Sequence, residues 1–126
     1  TRTQTEAMAD IMGTSGLAWY QWKKHGRCAG LPSEDYYDTS RAAYNSVVRP
    51  EILRNLPREM RLPPKVIESA FLEANESLTV DAVTVTCKAG MIQEVRICLT
   101  KDLEPRICGS DTIRDCQYNA DMAPIR

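Results

Sequence analysis

The sequence lacks any apolar run near the roughly 18 residues that a membrane-spanning helix requires, and it lacks low-complexity tracts of the disordered kind. A soluble, folded chain with no membrane partner is expected. Its C-terminal cysteines include no Cys-x-x-Cys knuckle and have no histidine beside them, so a tetrahedral zinc site is not expected. No other metal or cofactor is indicated either. Histidine is nearly absent, with His25 alone in the chain. Charge of one sign is also missing, because 16 Lys and Arg stand against 17 Asp and Glu for a net charge of -1. This excludes a globally basic nucleic-acid coat and leaves a local basic patch open. The first residue, Thr1, is neither methionine nor part of a cationic and then apolar leader. A segment upstream of this chain is therefore expected.

The 126 residues, 43% of them hydrophobic, suit one compact domain spanning residues 1–126. A domain of this size buries roughly two-thirds of the surface that its unfolded chain exposes. Charge is mildly uneven, with nine basic residues against seven acidic ones up to Leu62 and seven against ten after it. No acidic residue falls between Asp10 and Glu34, while Lys23, Lys24 and Arg27 surround His25. The result is a small positive island.

Residues 1–17 show no clear period and contain Gly13 and Gly16, so they read as a loop or frayed end leading into Trp19 and Cys28. Leu31-Pro32-Ser33-Glu34-Asp35 reads as a helix opening, with Ser33 as cap and two acids in the first turn. The spacing of Tyr36, Ala43 and Val47 beside Tyr37, Tyr44 and Val48 predicts a helix over 33–49. A shorter amphipathic helix through Ile52, Leu53 and Leu56 should stop at Pro57. A third helix should open at Pro63-Pro64 and carry Val66, Ile67, Ala70, Phe71 and Ala74 on one stripe. After residue 79 the period becomes two. Val83, Val85 and Cys87 alternate with Thr84 and Thr86, Lys88-Ala89-Gly90-Met91 supplies a turn, and Val95, Ile97 and Leu99 return. Helices followed by a hairpin, without alternation of strand and helix, predict an α+β fold with helices packed on one side of an antiparallel sheet.

Cys87, Cys98, Cys108 and Cys116 lie within 30 residues of one another. Two disulfides are the natural reading, with three possible pairings, and they imply an extracellular or periplasmic setting. The competing reading is buried reduced thiols in a cytosolic protein. If Cys98 pairs with Cys108 inside a Cys87 to Cys116 bridge, closing the outer loop is worth about 3–4 kcal/mol in the chain-entropy model. Cys28 is left over, which implies a partner outside this chain.

The segment Trp19-Tyr20-Gln21-Trp22-Lys23-Lys24-His25-Gly26-Arg27-Cys28 holds the chemistry. Cations beside His25 disfavour the imidazolium form and so keep the ring able to accept a proton, and the same cations attract phosphate. The plain alternative is a solvated basic loop with two aromatic anchors.

Gln21-Trp22-Lys23-Lys24-His25-Gly26-Arg27-Cys28 resembles the second active-site motif of the ribonuclease T(2) family, which usually reads His-Glu-Trp-x-Lys-His-Gly-Thr-Cys. Trp22, Lys24, His25, Gly26 and Cys28 match in residue and spacing. The Val66 to Ala74 helix and the strands Thr86-Cys87 and Glu94-Val95-Arg96-Ile97-Cys98 also resemble the family's C-terminal half. The resemblance implies a secreted endoribonuclease in which RNA's own 2′-hydroxyl attacks the adjacent phosphorus, giving a 2′,3′-cyclic phosphate without a metal. It implies His25 as general base and Lys24 as the cation for the phosphoryl oxygens. It sets Gln21 among the catalytic positions, where the family has Glu, and Tyr20 where it has a phosphate-contacting His. Both can still hydrogen-bond, and Tyr20, Trp22 and Arg27 count as substrate-binding candidates, although Trp22 is better suited to packing the motif than to touching RNA. Arg27 stands where the family has Thr.

The family's other motif, of the His-Gly-Leu-Trp type, is missing from these residues. In the family it supplies the second catalytic histidine and the partner of the cysteine at position 28, so a linked N-terminal segment is the implied partner. The resemblance also implies the nested pairing Cys87 to Cys116 and Cys98 to Cys108. The rival expectation is a catalytically impaired ribonuclease-like domain that binds RNA or protein, favoured by Tyr20 and Gln21. A disulfide-stabilised secreted domain with no RNA connection is the third.

Overall fold

A computed structural model describes residues 2–26, 30–113 and 115–125. The fold is mixed helix and sheet, with two disulfides. By its internal contacts the chain divides into two compact units, Thr1–Ser46 and Val47–Arg126.

The first unit is helical. Helices α1 (Arg2–Ala7), α2 (Ala9–Met12), α3 (Ser15–Lys24) and α4 (Ser33–Ser46) close around Met8, Ala18 and Tyr37. The expected loop over 1–17 is thus replaced by three short helices. Their apolar residues have no period because each helix is only one to three turns long and turns a few side chains inward. Thr5, Met8 and Ala18 are buried while their neighbours face solvent. Gly13 closes α2 with φ +94°, and Thr14 opens α3 by accepting the Leu17 N–H on its hydroxyl at 3.0 Å.

Helix α4 begins where the two acids suggest, but Ser33 is its first residue rather than its cap. The Ser33 hydroxyl donates instead to Gln4 Oε1 at 3.0 Å, a contact only the folded unit provides. Tyr37 donates its hydroxyl to the Ala18 carbonyl at 2.7 Å, satisfying a buried polar group. Arg41 grips Asp10 with two bonds of 2.9 and 3.0 Å and donates to the Ala7 carbonyl at 2.8 Å. The helix ends at Ser46, before the expected Arg49, and Val47 and Val48 serve the second unit instead.

The second unit contains α5 (Glu51–Arg54), β1 (Met60–Leu62), α6 (Pro64–Ala74), a 3-10 turn (Val80–Ala82), β2 (Val83–Lys88), β3 (Met91–Ile97) and β4 (Ala120–Met122). The strands lie in the order β1-β4-β3-β2. The predicted hairpin is β2 and β3, paired antiparallel through the turn at Ala89-Gly90, with a bulge between Thr86 and Cys87. The sheet is not wholly antiparallel as expected, since β4 runs parallel to β3 while pairing antiparallel with β1. Strands β1 and β4 have three residues each, too few to show a period-two signal, and long-range pairing creates them. Helix α6 packs on β2, burying Ile67 and Phe71 with Leu53, Val85 and Met122. Val66, from the expected stripe, remains half exposed.

Both faces of β2 are buried, including Thr84 and Thr86. The segment at Asp115 and Cys116 runs along the free edge of β2, with Thr86 and Asp115 forming an isolated antiparallel bridge, and the disulfide Cys87–Cys116, with Cα atoms 5.5 Å apart, holds it there. Cys116 donates its N–H to the Val85 carbonyl at 2.8 Å, and the Thr84 hydroxyl donates to the Asp115 carboxylate. Cys98–Cys108, with Cα atoms 5.3 Å apart, closes the loop after β3. This is the nested pairing that the resemblance implies. Such bonds suit an oxidising environment, and among the described residues no helix is long and apolar enough to cross a membrane.

Candidate functional site

Helix α3 turns Ala18 inward and leaves Leu17, Trp19, Tyr20, Lys23 and Lys24 exposed. Its outward face carries two aromatic rings, each followed four residues later by a lysine. The Lys23 ammonium lies 5.7 Å from the Trp19 ring centroid, and that of Lys24 lies 5.5 Å from the Tyr20 centroid. Residues four apart on a helix are neighbours, so once the segment is helical each cation falls over its ring. Both lysines fall in the last turn, where the negative end of the helix dipole favours positive charge.

His25 closes the helix with φ -119° and ψ -42°, donating its backbone N–H to the Gln21 carbonyl at 2.8 Å. Its side chain is exposed, directly after Lys24. Gln21 is half-buried and contributes its carbonyl to that closure. Trp22 turns into the unit, its ring 5.6 Å from that of Tyr36 and 6.5 Å from that of Tyr37.

Gly26 is buried against this aromatic cluster. A Cβ there would lie 2.3 Å from Trp22 Cε3 and 3.1 Å from Tyr36 Cδ1. Glycine is thus required for close approach, and Trp22 and Gly26 together fix the backbone that follows Lys24 and His25. Arg27 and Cys28 lie outside the described residues.

The electrostatics leave this end of α3 cationic. Asp10, an acid of the same unit, is engaged by Arg41, whose hydrogen bonds hold its carboxyl below the ordinary range. Among the described residues no group of three or more His, Cys, Asp or Glu side chains converges to hold a metal ion.

The structure thus brings Tyr20 and Lys24 together, sets His25 beside them in sequence at the helix end, and turns Trp22 away into the aromatic cluster. The motif gives Trp19 no role, although a lysine four residues after an aromatic is the signal that marks it once the segment is helical. Protein-family models, curated proteins and solved structures contain no match to this chain. This end of α3 offers an imidazole and an ammonium, both exposed, on a scaffold pinned by Trp22 and Gly26.

Proposed function

We propose that this chain carries one half of the active site of a secreted, ribonuclease T(2)-type endoribonuclease. The supporting observation is the exposed end of α3, where Lys24, its ammonium over the Tyr20 ring, is followed directly by His25, both backed by the close fit of Gly26 on Trp22. A ribose 2′-hydroxyl gives its proton to the His25 imidazole as its oxygen bonds to phosphorus. The Lys24 ammonium offsets the charge that builds on the phosphoryl oxygens. The bond to the 5′-oxygen then breaks, leaving a 2′,3′-cyclic phosphate.

The 5′-oxygen takes up a proton as it leaves, and no second imidazole in this chain can supply it, because His25 is the sole histidine. In the family that the motif resembles, a histidine of the other motif does so, in a segment joined through the cysteine at the position of Cys28. The two disulfides agree with the oxidising setting that secretion provides.

The test uses the protein together with any segment joined through Cys28, single-stranded RNA, and a chelator. Cyclic-phosphate ends detected by mass spectrometry, absent with a 2′-deoxy substrate and reduced at least 100-fold in His25→Ala, are the expected result. Full activity in His25→Ala overturns the reading. The second reading, an RNA-binding domain without catalysis, draws on Tyr20 and Gln21, neither of which supplies the ionisable group found at those motif positions. It predicts RNA retardation with no cleavage at any pH.

A further inference from the structure

Outside the Lys24 and His25 end, the first unit holds a cleft of about 370 Å³ lined by Arg2, Thr5, Ser15, Gly16 and Trp19. It lies between α1 and the first turns of α3. Trp19 is 40% exposed and forms one wall, although a large aromatic ring normally gains by burial. Lys23 lies over the ring, and Arg2 adds a second cation to the cleft's lining. The Glu6 carboxylate engages Arg2 through Nε at 3.1 Å. Ser15 and Gly16 add little bulk to the cleft's lining, which leaves room for a flat ligand.

We propose that this cleft is a nucleotide subsite, in which Trp19 stacks a base of single-stranded RNA and Arg2 and Lys23 face its phosphates. It rests on reading Lys24 and His25 as the RNA-cleaving end of the same helix. Trp19 precedes His25 by six residues, about 9 Å along the axis at ~1.5 Å per residue, so a short oligonucleotide reaches both. A stacking platform tolerates every base, because each has a π-face, and the cations follow the backbone. The subsite would thus raise affinity for longer strands without selecting sequence.

The test compares an octauridylate with the dinucleotide UpU, using wild type, Trp19→Ala and Lys23→Gln. The protein's two tryptophans allow assignment of the signal: quenching by the octamer should persist in Trp22→Phe and vanish in Trp19→Ala. Trp19→Ala should weaken octamer binding about tenfold, with a smaller loss for Lys23→Gln. Any loss on UpU should be clearly smaller than the loss on the octamer. Circular dichroism matching wild type shows that the variants remain folded. Cleavage by wild type with equal octamer affinity in Trp19→Ala overturns the subsite and leaves the nuclease reading standing. Octamer quenching at Trp19 without cleavage does the reverse, and no RNA binding at all removes both.

Discussion

The Lys24 ammonium is held 5.5 Å from the centroid of the Tyr20 ring, one helical turn earlier on the outward face of α3. The ring thus steers a cation that would otherwise sample solvent on a flexible four-carbon stem. Tyrosine stands where the resembled motif has a histidine, and its π-face offers a contact that depends on the ring rather than on its hydroxyl.

The ring therefore sets the effect of substitution at this position. On the proposed ribonuclease reading, Tyr20→Phe should retain RNA cleavage within about twofold, while Tyr20→Leu should slow it about two- to fivefold, matching the ~0.5–1 kcal/mol of an exposed cation–π contact. Steady-state rates on one RNA substrate decide. A greater loss in the Phe variant would assign the role to the hydroxyl.

Gly26→Ala should destabilise the first unit by roughly 1–3 kcal/mol, because the added methyl enters the space of Trp22 and Tyr36 and the rings must shift. Urea denaturation followed by tryptophan fluorescence measures this directly. An unchanged midpoint would show that the Trp22 ring moves without cost.

Asn75 ties the end of α6 to the backbone at Val48. Its amide donates to the carbonyls of Val48 and Phe71 at 2.8 and 3.0 Å, and its oxygen accepts the Val48 N–H at 2.6 Å. Asn75→Ala strands these groups and should cost roughly 2–3 kcal/mol by denaturation. Asn75→Asp should be at least as harmful at neutral pH, since a carboxylate cannot donate to two carbonyls. Stability equal to wild type in either variant would show that water replaces the amide.

Burial on α6, and secondarily the Asp115 carboxylate, push the Glu68 carboxyl above its ordinary value of 4.5, while Lys65 pulls it down. A raised carboxyl pKa favours the protonated form in the fold. Its contribution is therefore fully present below about 4.5 and is lost as pH rises through the folded value. Glu68→Gln should raise Tm at pH 7 and leave it nearly unchanged near pH 4. An equal gain at both pH values would point to packing instead of charge.

Much of the second unit was legible in the sequence because its signals are local. The Thr and Val alternation with Ala89-Gly90 between the strands fixed the hairpin, and Pro63-Pro64 with the Ile67 and Phe71 spacing fixed α6. The aromatic and lysine pairs of α3 stand four apart in the sequence, but they meet only because the segment is a helix, which no apolar period in the sequence declares. Tertiary structure alone decided the helices before Trp19, whose turns are too short to declare a period, and the three-residue strands β1 and β4, which exist only as partners. It also decided that Thr84 and Thr86 are buried, since the segment at Asp115 and Cys116, distant in sequence and tied to β2 by Cys87–Cys116, pairs along the strand's free edge and places the Asp115 carboxylate on the Thr84 hydroxyl. Local propensity acts within a few residues, whereas burial depends on which distant segment arrives to exclude water.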